Sequence, residues 1–111
     1  MARGGLWEFP GGKVEAGETD AVALRREMVE ELALHVEVGD CLGEVRHDYG
    51  DVVIRLVAYA CSVSSGEPVV REHSEVAWVD ASGLRDLIWA PADIPLLSAV
   101  ETLLTSAPIR R

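Results

Sequence analysis

Apolar residues recur at helical spacing in one early stretch. Ala21, Leu24, Met28 and Leu32 fall on a single stripe at 100° per residue, and no Pro or Gly interrupts residues 21–32. Thr19 is a fair N-cap, and Asp20 sets a negative charge on the positive end of the helix dipole. The pattern predicts a helix whose stripe packs on a sheet. Ahead of it, residues 1–9 run into Pro10-Gly11-Gly12, a turn signal, and with Gly17 close behind, residues 11–18 read as a loop.

Residues 36–62 carry the signature of β structure. Val36-Glu37-Val38 alternates, residues 42–49 form a plausible strand, and Tyr49-Gly50-Asp51 is a tight turn. Residues 52–61 are rich in β-branched side chains and nearly continuous in apolar character, which suits a central strand; Ser64-Ser65-Gly66 ends it. Residues 75–79 read as a further short strand carrying Trp78, and residues 81–87 as one or two helical turns. Pro91 and Pro95 bracket the start of a last helix, with Leu96, Leu97, Val100, Leu103 and Leu104 on one face and Pro108 at its end. No internal repeat or linker divides the 111 residues, so one domain is expected over 1–111.

Composition narrows the classes. A hydrophobic fraction of 49% supports a real core, and no stretch is long and apolar enough to span a bilayer. No basic segment leads into an apolar one as a secretory signal would. Cys41 and Cys61 lie in apolar surroundings and are expected as two buried, reduced thiols, which fits a cytoplasmic location. The net charge of −9 argues against nucleic-acid polymers and anionic membranes as partners. An anionic substrate would need a cation between itself and this surface.

Glu27, Glu30 and Glu31 stand at i, i+3 and i+4, so on a helix they project from one side. Three such charges repel unless a cation joins them. A hard divalent ion, Mg²⁺ or Mn²⁺, takes oxygen ligands of this kind and shares them with phosphate oxygens. A solvated acidic face is the plain alternative for an isolated triplet of this spacing. His47 and His73 have no second His or Cys at metal-site spacing and are expected at the surface or behind the ligands.

The residues around the triplet decide between these readings. Gly12 is followed after five residues by Glu18, and after seven more by Arg26-Glu27, Met28, Val29, Glu30-Glu31, Leu32, Ala33 and Leu34. This resembles the Nudix box (residues 12–34), with Ala33 where that family carries Gly. Leu6-Trp7-Glu8-Phe9-Pro10-Gly11-Gly12-Lys13 is similar to the segment that leads into the box in MutT-type nucleotide hydrolases. Glu67-Pro68, Glu72-His73, Trp78-Val79 and residues 89–97 resemble later MutT-like signatures, the last of them that of the pyrimidine-triphosphate branch.

The resemblance implies an α/β (α+β) Nudix fold, a twisted mixed sheet between the box helix and a C-terminal helix. It implies Mg²⁺-dependent hydrolysis of a nucleoside triphosphate, such as an oxidised dNTP or a CTP-like nucleotide, to a monophosphate and pyrophosphate. Glu27, Glu30, Glu31, the Gly11 carbonyl and Glu72 are the implied metal ligands. Arg26 and Glu18 match the pair that orients the catalytic loop, and Glu27 is one candidate general base. Phe9, Gly12, Lys13 and Asp93 are expected against the substrate. Asp93 sits where relatives read the base edge, and it also has the place of an N-cap for the last helix; Phe9 suits a base pocket and a core equally.

Two departures qualify this. Ala33 must take a left-handed conformation if it ends the helix, at a cost of about 1–2 kcal/mol. MutT-like chains carry a long strand ahead of Trp-Glu-Phe-Pro-Gly-Gly, whereas Met1 precedes this run by only five residues. That leading strand is expected to be missing, which leaves an open sheet edge for a homodimer and makes a weakly active nucleotide-binding module the non-enzyme alternative. Hydrolysis of another nucleoside diphosphate-X compound is the enzyme alternative.

Overall fold

A computed structural model describes residues 2–3, 5–69 and 75–105, with the side chains of 2 and 3 left aside. Two short strands, β1 (Ala2–Arg3) and β2 (Leu6–Trp7), form an antiparallel ladder. Helix α1 (Asp20–Leu32) follows the glycine-rich loop, then a long antiparallel hairpin of β3 (His35–Asp48) and β4 (Val53–Ser65). Two 3₁₀ turns, Leu84–Asp86 and Ile94–Leu96, lead into helix α2 (Leu97–Thr105). The described strand pairs are antiparallel; one parallel bridge joins Trp7 to Trp89.

The amphipathic stripe does what its spacing demands. Met28 and Leu32 are buried with Leu34, just ahead of β3, and Val36 within it, and Leu24 and Val38 pack against them. A buried leucine side chain contributes about 2 kcal/mol, so this cluster fixes α1 on β3. A second cluster gathers Leu84, Trp89 and Leu97, with Trp7, Phe9, Leu87 and Val100 against it. The Trp89 indole N–H donates to the Leu84 carbonyl at 2.8 Å, which satisfies its polar atom inside this cluster.

Helix α1 starts and stops as read. Thr19 accepts the Val22 N–H at 3.2 Å. Ala33 stands at φ 57°, ψ 32°, and its N–H reaches the Met28 and Val29 carbonyls. Gly66 lies directly over this helix end. A side chain there would run into the Ala33 carbonyl, and Gly66 itself has a φ of 96°. Val69 N–H then donates to the Leu32 carbonyl at 2.9 Å. Residues after β4 therefore complete the C-terminus of α1.

Several local expectations are corrected. Residues 36–38 and 42–48 belong to one strand, β3, which continues through register shifts between Val38, Cys41 and Gly43. Extra residues at these bulges let a β strand bend without ending. Among the described residues, 52–61 do not form a central strand: β4 pairs only with β3 there, and Val52, Val53, Ile54 and Val63 are exposed. Cys41 and Cys61 are exposed for the same reason. Residues 75–79 form no strand, and Trp78 is 72% exposed. The turns expected over 81–87 shrink to Leu84–Asp86. Pro108 lies outside the described residues.

Candidate active site

The glycine-rich loop and the first half of α1 are tied together through one guanidinium. Arg26 Nε donates to Glu18 Oε2 at 2.8 Å and Nη2 to Glu18 Oε1 at 2.9 Å. Nη2 also donates to the Lys13 carbonyl at 3.0 Å, and Nη1 to Glu27 Oε1 at 2.8 Å. Glu30 is a looser partner of Nη1 at 3.4 Å. A planar fork is suited to this because its donors are held in fixed directions. Glu18 is held in turn by its own loop: Glu15 N–H donates to its carboxylate at 2.9 Å, and its N–H donates to the Glu15 carbonyl at 3.0 Å. The Arg26 hydrogen bonds, with the Glu15 N–H, pull the Glu18 carboxyl from the usual 4.5 down to about 2. The same pairing, led by Glu18, pushes the Arg26 guanidinium further toward its charged form.

Glu27 is the best seated of the three helix carboxylates. Its side chain is 14% exposed, against 58% for Glu30. The carboxylate lies over Gly12, where a Cβ would collide with it. Glycine is thus required at residue 12 for close approach of the carboxylate to the loop backbone. Glu31 is half-buried on the same helix. Among the described residues, no three His, Cys, Asp or Glu side chains converge into a group that could hold a metal ion, and Arg26 is the cation shared by Glu27 and Glu30. The donor chemistry nonetheless fits a hard divalent ion: all donors are oxygens, Glu30 is exposed enough to turn, and the Gly11–Gly12 backbone lies open beside Glu27. Glu72 and His73 lie outside the described residues.

Phe9 and Asp93 meet at the other end of the loop. Phe9 N–H donates to Asp93 Oδ1 at 3.2 Å, and the Phe9 ring lies 4.6 Å from the Trp89 ring. Phe9 thus belongs to the α2 core and lines the loop at once. Asp93 is 5% exposed, and burial raises its carboxyl above the usual range while the Phe9 N–H pulls the other way. Its side chain caps no backbone N–H of the following turn, so the N-cap reading is set aside. Lys13 is exposed, and it is its backbone carbonyl that Arg26 engages.

One contact was not anticipated. The Tyr59 hydroxyl donates to Asp20 Oδ2 at 2.7 Å, joining β4 to the first turn of α1. No spacing rule links residues 39 positions apart, and only the register of the hairpin brings them together.

This arrangement of a glycine loop, an arginine-locked helix and an acidic face coincides with a family match. The model of the NUDIX domain fits residues 2–100. The chain belongs to the NUDIX family. This NUDIX chain is 47% identical over 92 residues to a protein of Mycobacterium tuberculosis named putative 8-oxo-dGTP diphosphatase 2, covering 80% of this chain and 64% of that one. It therefore spans less than two thirds of that relative's length. It is 36% identical over 104 residues to the CTP pyrophosphohydrolase of Escherichia coli, covering 94% of this chain and 77% of that protein. The solution structure of the E. coli ORF135 protein superposes with a TM-score of 0.78 at 36% identity, covering 96% of this chain and 76% of that one. The NUDIX fold, with its antiparallel sheet and two helices, is thereby shown by sequence and by shape.

Proposed function

We propose that this NUDIX chain hydrolyses a nucleoside triphosphate to a nucleoside monophosphate and pyrophosphate, with Mg²⁺, or Mn²⁺ in its place, held by its box helix. The observation that carries this reading is the Glu27 carboxylate seated over Gly12 and gripped by an arginine that Glu18 immobilises.

NUDIX hydrolases use divalent metal ions, and here Glu27, Glu30, Glu31 and the Gly11 carbonyl are the groups that would hold one, with Glu72 as a further carboxylate. A bound Mg²⁺ would neutralise phosphate oxygens and lower the pKa of the attacking water. Glu27 is the candidate to accept that water's proton, because its hydrogen bond from Arg26 fixes its direction. The Glu18–Arg26 fork holds the Lys13 carbonyl, and so the loop along which the phosphates would lie. Backbone rigidity there keeps the phosphorus in line with the attacking oxygen.

At the base end, one Asp93 oxygen is taken by the Phe9 N–H, which leaves the second to accept from an exocyclic amine. This suits a cytosine nucleotide, in keeping with the name of the E. coli relative. A protonated Asp93 would suit an oxidised purine, in keeping with the Mycobacterium relative. We place this chemistry in the cytoplasmic nucleotide pool.

A nucleotide panel with product identification, run with and without Mg²⁺, tests the reading. Pyrophosphate with a monophosphate is expected, lost in Glu27→Gln. In parallel, millimolar Mg²⁺ should raise the melting temperature of the protein and not that of Glu30→Gln. Orthophosphate as the product, or turnover untouched in Glu27→Gln, would overturn it.

A further inference from the structure

Helix α1 is held on the sheet at two ends by different means. At its C-terminus the hold is backbone: Gly66 lies on the Ala33 carbonyl and Val69 N–H on the Leu32 carbonyl. At its N-terminus it is one side-chain hydrogen bond, Tyr59 to Asp20, at 2.7 Å. The surroundings of that bond are built for it. Tyr59 stands opposite Cys41, in the stretch where β3 carries its extra residues. Such bulges increase local twist and re-aim side chains.

Charged groups surround the acceptor. Arg55 is locked to Glu44 by two hydrogen bonds of 2.9 and 3.1 Å, and its guanidinium lies close enough to Asp20 for each to influence the other. Asp20 also sits on the positive end of the helix. The bond to Asp20 in turn raises the Tyr59 hydroxyl pKa, so the donor stays protonated at neutral pH.

Asp20 is two residues from Glu18, the carboxylate that holds Arg26. The Tyr59–Asp20 hydrogen bond is thus joined, through two residues of backbone, to the Glu18–Arg26 fork that reaches Glu27 and the Lys13 carbonyl. The loop and α1 form one unit through Arg26, whereas Phe9 and Asp93 belong to the α2 core. The angle of the first unit against the second sets where a phosphorus lies relative to Glu27 once the base is bound.

We propose that Tyr59 is a positioning residue: through Asp20 it fixes the angle at which α1 presents Glu27, Glu30 and Glu31 to the substrate. The proposal rests on the hydrolase reading for its kinetic consequence and on geometry alone for its structural one. Losing one hydrogen bond of this kind shifts an equilibrium by about three- to tenfold. Tyr59→Phe and Asp20→Ala should each lower kcat by about that factor with KM for the nucleotide little changed. Asp20→Asn keeps an acceptor oxygen and should retain most of the rate. The double variant Tyr59→Phe/Asp20→Ala should be no slower than the slower single one.

Backbone amide NMR shifts supply the arm that needs no turnover. In Tyr59→Phe the shifts should change at Lys13, Arg26 and Glu27 as well as around Asp20, and in Asp20→Asn they should change there much less. A kcat equal to wild type in Tyr59→Phe, measured well below its melting temperature, overturns the proposal. So do shift changes confined to the neighbours of Tyr59 and Asp20. If the wild-type protein turns over no nucleotide, the hydrolase reading fails, and the shift map alone decides the positioning role.

Discussion

Glu18 and Arg26 are joined at two points, Oε2 to Nε at 2.8 Å and Oε1 to Nη2 at 2.9 Å, across eight residues of chain. The pair welds a loop to a helix, and its strength shows in the Glu18 carboxyl, held at about 2. Because that value is depressed, the stability it contributes is fully present above the ordinary value of 4.5 and is lost as pH falls toward 2. Melting temperature followed from pH 7 to pH 2 should therefore fall more steeply below pH 4.5 in the wild type than in Glu18→Gln. Arg26→Lys keeps the charge and loses the fork; turnover should drop roughly tenfold or more, with a smaller effect on stability. Parallel pH curves for the wild type and Glu18→Gln would show that the pair is not formed in solution.

Gly12 offers a cleaner separation of activity from stability. A methyl group there meets only the far end of the Glu27 side chain, which can swing aside. Gly12→Ala should keep stability within about 1 kcal/mol of wild type. It should nevertheless lose most of its activity, because Glu27 can no longer lie against the loop. Denaturant titration and a pyrophosphate-release assay on the same sample check both halves. A fully active Gly12→Ala would remove close approach of Glu27 from the mechanism.

Asp93 combines burial with a single hydrogen bond to Phe9 N–H. Its carboxyl is raised, so its contribution to stability is greatest at low pH and is lost as pH rises through its folded value. Asp93→Asn keeps an acceptor for Phe9 and removes the buried charge. It should melt higher than wild type at pH 7, and the two should converge toward pH 4. Asp93→Ala leaves the Phe9 N–H unpaired, at a cost of about 1–3 kcal/mol, and should change the ranking among nucleotides. Equal slowing on every nucleotide would mean that Asp93 only supports the loop.

Ala33 bears a left-handed conformation at φ 57° that costs a side-chain-bearing residue about 1–2 kcal/mol. Ala33→Gly removes this strain but adds freedom to the unfolded chain, so a net gain of up to about 1 kcal/mol is expected. Urea unfolding measures it. A loss of stability would mean that the Ala33 methyl has a packing role that outweighs the strain.

Local rules made much of this molecule legible. Thr19, the stripe of Met28 and Leu32, and the left-handed Ala33 were all readable because each depends on neighbours within a turn or two of helix. The Glu18–Arg26 pair was readable because it belongs to a pattern with fixed spacing. What stayed hidden depends on hairpin register and layering. Tyr59 meets Asp20 only through two bulges in β3 that no composition announces. Cys41 and Cys61 looked like core residues because their neighbours are apolar, yet their strands have no described partner beyond each other. Residues 75–79 read as a short strand, but β propensity is set by packing context, and Trp78 there is exposed.

The seat of Gly66 on the Ala33 carbonyl also orders events in time. A helix of 13 residues is marginal by itself in water, and its last carbonyls here are covered by chain that follows the whole hairpin. As the polypeptide leaves the ribosome, residues 20–32 emerge well before residues 66–69, which finish them. The helix that carries Glu30 and Glu31 is therefore expected to gain its full support only once the hairpin has formed and folded back. A nascent chain stalled before Gly66 carries every residue of the box but lacks the backbone contacts that cover the end of its helix.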